Sequence, residues 1–417
     1  VQLSREFSME YETDAVLDEK LTQVKLCVNA AETRVLNPRK VAVTFEICGE
    51  LWSYTREELC VSASIDEAPC RIYTRYDQQA VTPIVGVTEK TFALTEQFAF
   101  PDGKPSPGTI LAQGVDYAVG DIQIVGSRAI IKGSAFITVC YVAEDIDYPL
   151  TAEFTCQFSQ LIDVPDREIC GCAAQIQTNG AYFNVIDTIN GTKALDAELH
   201  CLTELVCFGS ETVSYLADAY CNTAGLDYRT ESFSLPTGNE VRIVPLSFNE
   251  SIEAPEDCAD ILAAFTQLSR SAVSGGTITF QCLVDMIYRS ESGGISVMKR
   301  TFELEGDCPE NTQGMIYMRI TDAKLYPTGG SVSVSLNIEA VCLCRGISNI
   351  SAITSMELAD EVDSGFAEYP SVTLVRSDGE TLWQLAKGYR SSEEVIAAVN
   401  GCDCTAAGDM LLILKTK

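Results

Sequence analysis

One alternating pattern recurs along this chain at a nearly constant spacing, and it leaves few folds open. A short apolar stretch, turn residues and a strand with every second residue apolar appear five times. Leu36-Asn37-Pro38-Arg39-Lys40 precedes Val41, Val43, Phe45 and Ile47. Val125-Gly126-Ser127-Arg128 precedes Ile130 and Ile131, then Gly133, Ala135, Ile137, Val139 and Tyr141. Ile189-Asn190-Gly191-Thr192 leads into Leu195–Leu199, and Ser274-Gly275-Gly276 into Ile278, Phe280, Cys282 and Val284. The last copy is Pro327-Thr328-Gly329-Gly330 before Val332, Val334, Leu336 and Ile338. Period-two alternation beside Asn-Gly or Gly-Gly turns predicts β-hairpins.

The copies fall into two series. Those near Val41, Ala194 and Val332 lie about 153 and about 138 residues apart, and those near Ile130 and Ile278 about 148 apart. A shared period predicts a repeated unit carrying two kinds of hairpin. Phe92-Ala93-Leu94 and Phe233-Ser234-Leu235-Pro236, ahead of the second kind, echo each other. The resulting division is a truncated β unit over 1–84, β units over 85–228 and 229–358, an acidic linker over 359–370 and a small module over 371–417. The expected fold class is mainly β: tandem antiparallel β-sandwich-like repeat units with short helices, plus a small C-terminal βααβ domain. One such helix is expected over Glu256–Ser269, where Ile261, Leu262 and Phe265 share a helical face. Exposed strand edges in such units suit assembly with other strands.

Charge narrows the partners. The 29 basic and 59 acidic residues give a net charge of −30, a field that repels phosphate backbones and anionic bilayers. No nucleic-acid partner is expected, and no apolar run is long enough for a membrane span. The first residues lack the charged-then-apolar layout of an export signal.

Catalytic and metal chemistry find little to work with. His200 is the single histidine, so imidazole-based sites have almost no material. Its neighbour Cys201 lies in the same alternating strand, where a structural role is expected of both. Acid pairs such as Glu256/Asp257 and Asp360/Glu361 are what 59 carboxylates produce by chance. No P-loop, Ser-elbow or HExxH motif is present. No enzyme, no catalytic residues and no cofactor are expected. The 18 cysteines form no CxxC pair, which removes zinc ribbons and thioredoxin motifs. Three CxC pairs exist (Cys170/Cys172, Cys342/Cys344, Cys402/Cys404). On a strand each pair shares a face, suited to a metal or a strained disulfide; the plainer expectation is small apolar side chains filling strand positions, with no metal site.

After the acidic stretch Glu357–Gly365 the pattern changes. Val372–Val375 is a short β-run, and Ser377-Asp378-Gly379 turns into a helix with Leu382, Leu385, Ala386 and Tyr389 on one face. Gly388 is placed to end it with a left-handed cap. Ser391 and Glu394 form an expected capping box for a second helix that buries Val395, Ile396 and Val399. Asn400-Gly401 closes that helix, and Gly408-Asp409 turns into the strand Met410–Leu414. Glu380, just before the first helix, is an expected poor N-cap because its carboxylate overshoots the first amides. Trp383 is expected in the core.

The module resembles the LysM domain through Gly379-Glu380-Thr381-Leu382-Trp383, Leu385-Ala386, Tyr389, Glu394-Val395-Ile396, Asn400-Gly401 and Gly408-Asp409. The resemblance implies a shallow groove that takes N-acetylglucosamine-containing glycans, with Gly379, Glu380, Thr381 and Leu382 on one wall and Asn400, Gly401, Cys402 and Asp403 on the other. Phe92–Pro105, Ile110-Leu111, Asp121–Ile124, Ile131–Gly133, Val139–Tyr141 and Phe158–Pro165 resemble the SPOCS domain. SPOCS repeats followed by one LysM module are similar to the SipL-type spore-coat assembly proteins. That resemblance implies a scaffold in the mother-cell cytoplasm at the forespore surface. Its LysM groove would bind the morphogenetic ATPase of the coat, and its β repeats would bind other coat proteins. Its thiols, reduced during assembly, would cross-link after lysis of the mother cell. The alternative is an extracellular, cell-wall-associated protein anchored to peptidoglycan by the LysM groove.

Overall fold

The computed structural model describes residues 22–416 apart from 56–57, 66–69, 255–256, 329, 360–369 and 404, together with 8, 10 and 12. Strands take 73% of the chain and helices 4%. The fold is mainly β, built of antiparallel sheets, as the alternation predicts. The acidic linker lies almost wholly outside the described residues. The chain forms two compact units, each drawn from separated segments: 1–56, 82–210 and 238–346 in the first, and 57–81, 211–237 and 347–417 in the second.

The first unit holds two sandwiches of the same topology. In one, β4 (Ile84–Ala99), β9 (Lys193–Gly209) and β8 (Ile169–Asp187) form a sheet in that order, facing β5 (Pro107–Val125), β6 (Arg128–Ala143) and β7 (Pro149–Asp163). In the other, the order β11 (Leu226–Glu253), β16 (Ser331–Leu358), β15 (Thr312–Pro327) faces β12 (Cys258–Ser274), β13 (Thr277–Ser290) and β14 (Ile295–Asp307). Each sandwich thus runs strand, three-stranded meander, hairpin, with the first strand pairing to the last. Only residues 238–253 of β11 and 331–346 of β16 belong to this unit. A lone hairpin, β1 (Thr22–Asn37) with β2 (Lys40–Ser53), precedes them and carries the first copy of the hairpin series that continues in β8–β9 and β15–β16.

The middle strands show why this sequence chooses sheet. In β6, Ala129, Ile131, Ala135, Ile137, Val139 and Tyr141 are each at most 1% exposed. Ile278, Phe280, Cys282, Val284, Met286 and Tyr288 in β13, and Val332, Val334, Leu336, Ile338 and Ala340 in β16, are at most 2% exposed. A β-strand sends alternate side chains to one face, so each run fills one core. Gly126, with φ +61°, makes the turn that pairs Val125 with Arg128. Gly133 admits the Phe158 ring across β6: a Cβ there would lie 2.4 Å from Phe158 Cζ and 2.4 Å from the Ala118 carbonyl oxygen.

The expected helix over Glu256–Ser269 is instead strand β12, paired with β13 from Cys258 to Ser274. Shifts of register at Cys258/Asp260, Ile261/Ala263 and Ser269/Ser271 interrupt the two-residue period, so the apolar spacing imitates a helical face.

In the second unit, β3 (Ile72–Val81) pairs with β10 (Glu211–Cys221), and residues 226–237 and 347–358 of β11 and β16 also belong here. β17 (Val372–Arg376), helix α1 (Leu382–Gly388), helix α2 (Glu393–Asn400) and β18 (Met410–Leu414) follow in the expected βααβ order, with β17 and β18 antiparallel.

Cysteines occupy strand positions as small apolar residues. Cys140, Cys156, Cys201, Cys207, Cys258, Cys282, Cys342 and Cys344 are buried and unbridged. Burial alone pushes the Cys282 thiol up to about 12, and burial with neighbouring thiols takes Cys342 to about 11. Among the described residues no group of three or more His, Cys, Asp or Glu side chains is placed to hold a metal ion. No described helix is long and apolar enough to cross a membrane.

Candidate functional site: the paired loops of the C-terminal module

Val375, Leu382, Trp383, Leu385, Ala386, Ile396, Leu411 and Ile413 close the core of the βααβ module. Thr381, not Glu380, caps α1. Its hydroxyl accepts from the Gln384 amide at 3.2 Å while the Gln384 side chain accepts from the Thr381 amide at 2.8 Å. Glu380 folds back instead: its carboxylate accepts from the Asp378 amide at 2.7 Å and from the Ser377 hydroxyl at 3.2 Å. Those backbone amides, its own included, hold its carboxyl below the usual carboxylate range. Gly379 sits in the same turn at φ +103°, a conformation that favours glycine.

Gly401 ends α2 in the left-handed region at φ +64°. From there the second loop runs back to the first. The Thr405 hydroxyl donates to the Glu380 carbonyl, and a Cβ on Gly379 would meet the Ala407 Cβ at 4.0 Å. The structure therefore brings the Gly379–Thr381 segment beside the loop that follows Gly401, with Gly379, Thr381, Gly401 and Asp403 exposed and Glu380 and Cys402 half-buried. Cys404, the partner of Cys402 in its CxC pair, lies outside the described residues.

Two of the expected groove residues do structural work. Leu382 is 9% exposed and belongs to the core. The Asn400 amide donates to the carbonyls of Ile396 and Leu412 and accepts from the Leu412 amide, all at 2.8 Å, extending the β18 edge with a side chain. Two caps also move. Ser392, not Ser391, is the N-cap of α2, accepting from the Val395 amide at 3.3 Å, while Ser391 donates to the carbonyls of Ala386 and Leu414. Past α1, Tyr389 is the C-cap, and the left-handed residue is Arg390 at φ +55° rather than Gly388. Tertiary bonds hold Arg390 there: its guanidinium donates to the Cys221 carbonyl at 2.9 Å and its carbonyl accepts from the Thr416 amide at 2.9 Å.

Those bonds belong to a mounting that sequence reasoning missed. Asp218, Tyr220 and Asn222 follow one another at two-residue spacing at the end of β10. Asp218 accepts from the Trp383 indole at 2.8 Å and from the Lys387 ammonium at 2.6 Å. Burial, the largest influence, raises its carboxyl pKa, but the hydrogen bonds from Lys387 and Trp383 outweigh it, and the net position is below the ordinary value. Tyr220 stacks on Tyr73 at 4.8 Å and meets Trp383 edge-on at 4.9 Å. Asn222, 1% exposed, donates to the Ser391 carbonyl and the Thr416 hydroxyl. Trp383 is 6% exposed, so it is a buried anchor and not a stacking platform. The signal was present as Asp-x-Tyr-x-Asn alternation on one strand face, but nothing local says what that face covers.

His200 and Cys201 point to opposite faces of β9. The imidazole is exposed, with Nε2 2.8 Å from Glu198, and the thiol is 1% exposed, 3.3 Å from the Tyr117 hydroxyl. They do not form a nucleophile pair.

No protein-family model, curated protein or solved structure matches the chain.

Proposed function

We propose that the chain is a non-enzymatic scaffold of spore-coat assembly. The paired loops of its C-terminal module bind the coat's morphogenetic ATPase, and its β repeats bind other coat proteins at the forespore surface in the mother cell. The observation that carries this reading is the state of the two loops. They are tied to each other by Thr405 and Glu380, while the helices behind them are fixed through Trp383, Lys387 and Arg390. A preorganised loop pair loses little entropy on binding. Its exposed rim carries Asp378, Asp403 and Asp409, which favours a partner surface rich in donors or cations over an anionic wall polymer. The SPOCS and LysM resemblances supply the identity of the partners.

The test is a pull-down from sporulating cells with the wild-type chain and with Asp378→Arg/Asp403→Arg, which reverses rim charge without entering the core. Purified peptidoglycan serves as a second bait. Loss of one specific ATPase partner in the variant supports the scaffold. Retention on peptidoglycan with no ATPase captured refutes it and favours the extracellular, wall-bound alternative.

A further inference from the structure

The first unit encloses a cavity of about 210 Å³ where one hairpin from each repeat converges. The β1–β2 hairpin and its exit supply Trp52 and Tyr54. The β8–β9 hairpin supplies Ala173, Gln175, Glu204 and Val206, and the β15–β16 hairpin supplies Gln313, Gly314, Ile316, Leu343 and Arg345. Ile84 and Asn239 complete the wall. The lining is therefore not repeated though the strands are: equivalent hairpins deliver an aromatic wall, an acid and a base.

The acid is fixed. Glu204 is 1% exposed, and one of its oxygens accepts from the amides of both Gln175 and Gln177, the latter at 3.1 Å. The base is not satisfied. The Nε of Arg345 is buried without an acceptor. Asn239 donates to Thr82, at 2.8 Å to the carbonyl, while its buried Oδ1 has no partner. Burial draws the Arg345 guanidinium below its ordinary pKa and, as the largest influence, pushes the Tyr54 phenol up. A half-buried guanidinium with a donor left unmet is costly, and an anionic acceptor relieves it. A simple anion would bring its charge to a wall that also holds Glu204. Apart from Gln313 at the rim, the remaining surface, from Trp52, Ile84, Val206, Ile316 and Leu343, is apolar. Gly314 keeps the Trp52 ring in place: a Cβ there would fall 2.2 Å from two ring carbons.

We propose that this cavity is a binding site for an apolar α-amino acid. Its carboxylate meets Arg345 and Tyr54, its ammonium meets Glu204, and its side chain lies against Trp52 and the aliphatic wall. The zwitterion answers the Arg345 guanidinium, turns its ammonium toward Glu204 and carries no net charge against the field of a chain at −30. A sugar would occupy hydrogen bonds but leave the Arg345 charge unanswered. The volume is larger than the roughly 150 Å³ that suffices to hold benzene in an engineered cavity.

The experiment is titration calorimetry and thermal shift on the intact chain with L-phenylalanine and L-leucine, beside 3-phenylpropionate, phenethylamine and N-acetylglucosamine. Millimolar amino acid is expected to raise Tm, with the two single-charge analogues and the sugar at least about tenfold weaker, the loss expected for one charge-assisted hydrogen bond. Arg345→Met is expected to weaken phenylalanine by a similar factor. If that variant fails to fold, Arg345→Lys, which keeps the charge but loses the guanidinium fork, is expected to weaken it as well. No binding of either amino acid, equal binding of phenylpropionate or of the sugar, or undiminished affinity in the folded Arg345 variant would overturn the proposal. None of these outcomes depends on the scaffold reading.

Discussion

Replacing Asp218 by alanine should loosen the C-terminal module from its mounting. The carboxylate serves three donors: Trp383 Nε1 at 2.8 Å, Lys387 Nζ at 2.6 Å and the Ala219 amide at 2.9 Å. Lys387 keeps 37% of its side chain exposed and can turn to water, so its part of the loss is about 0.5–1 kcal/mol. The indole N–H cannot, because Trp383 is 6% exposed; an orphaned buried donor costs about 1–3 kcal/mol. The sum is about 1.5–4 kcal/mol, with the Ala219 amide adding little at a strand end. Asp218→Asn keeps an acceptor for the indole and loses only the ion pair to Lys387, so it should cost about 0.5–1 kcal/mol. The chain has two tryptophans, Trp52 and Trp383, so urea unfolding followed by fluorescence in a Trp52→Phe background reports on the module itself. The sign of the pH effect follows from the lowered carboxyl pKa. Stability supplied by Asp218 is complete above the unfolded carboxylate value of about 3.9 and drains away as pH falls through the lower folded value. Wild type and Asp218→Ala should therefore converge in acid. A midpoint unchanged by Asp218→Ala, or a difference that persists undiminished below about pH 3, would refute the mounting.

Three other outcomes follow from the packing. The thiols of Cys70 and Cys221 lie 2.9 Å apart, so mild oxidation by a small disulfide should join these two in preference to the buried Cys282 and Cys342; peptide mapping by mass spectrometry reads the pairing, and a dominant link elsewhere would contradict it. Gly133→Ala should cost about 1–3 kcal/mol through overpacking, because the Ala118 carbonyl, unlike the Phe158 ring, cannot swing aside; an unchanged denaturation midpoint would count against the register of β5 on β6. Asn400→Ala should lower Tm of the module by removing three backbone hydrogen bonds, about 1–3 kcal/mol in all, and any loss of partner binding should vanish when the comparison is made well below that Tm.

What could be read in advance divides along the range of the interaction. Strand content was legible because it is written every two residues: the alternation in β6, β13 and β16 is both the local signal and the buried face. The common period was legible because β6 and β13, or β9 and β16, repeat the same local solution. β12 misled because its register shifts break that rule, turning Ile261 and Phe265 into an apparent helical pair. Caps were legible in kind and wrong in position. Thr381 displaced Glu380, and Ser392 displaced Ser391, since which hydroxyl caps depends on whether its neighbour is already bonded, as Ser391 is to Leu414. Arg390 took the left-handed place open to Gly388 because the carbonyl of Cys221, 169 residues away, holds its side chain. For Ser391 and Arg390 a partner distant in sequence outweighed an intrinsic preference worth about 1 kcal/mol, while Glu380 was drawn off by its own neighbours Ser377 and Asp378.

Neither the mounting nor the cavity was visible, for the same physical cause. A strand face bearing Asp218, Tyr220 and Asn222 reads as a solvated edge until Trp383 and Ser391 are placed on it. The cavity is harder still. Three hairpins that a repeat search treats as equivalent meet there, and equivalence directs attention to what they share: apolar alternation. Function of this kind resides in what they do not share. Where one hairpin carries Trp52, another carries Glu204 and the third Arg345. Duplicated strands supply a scaffold that tolerates divergence at the convergence point, because each hairpin's own sheet is stabilised by its other face. A guanidinium such as Arg345, retained there without an acceptor at the expense of apolar packing, is costly unless an anionic group is bound beside it.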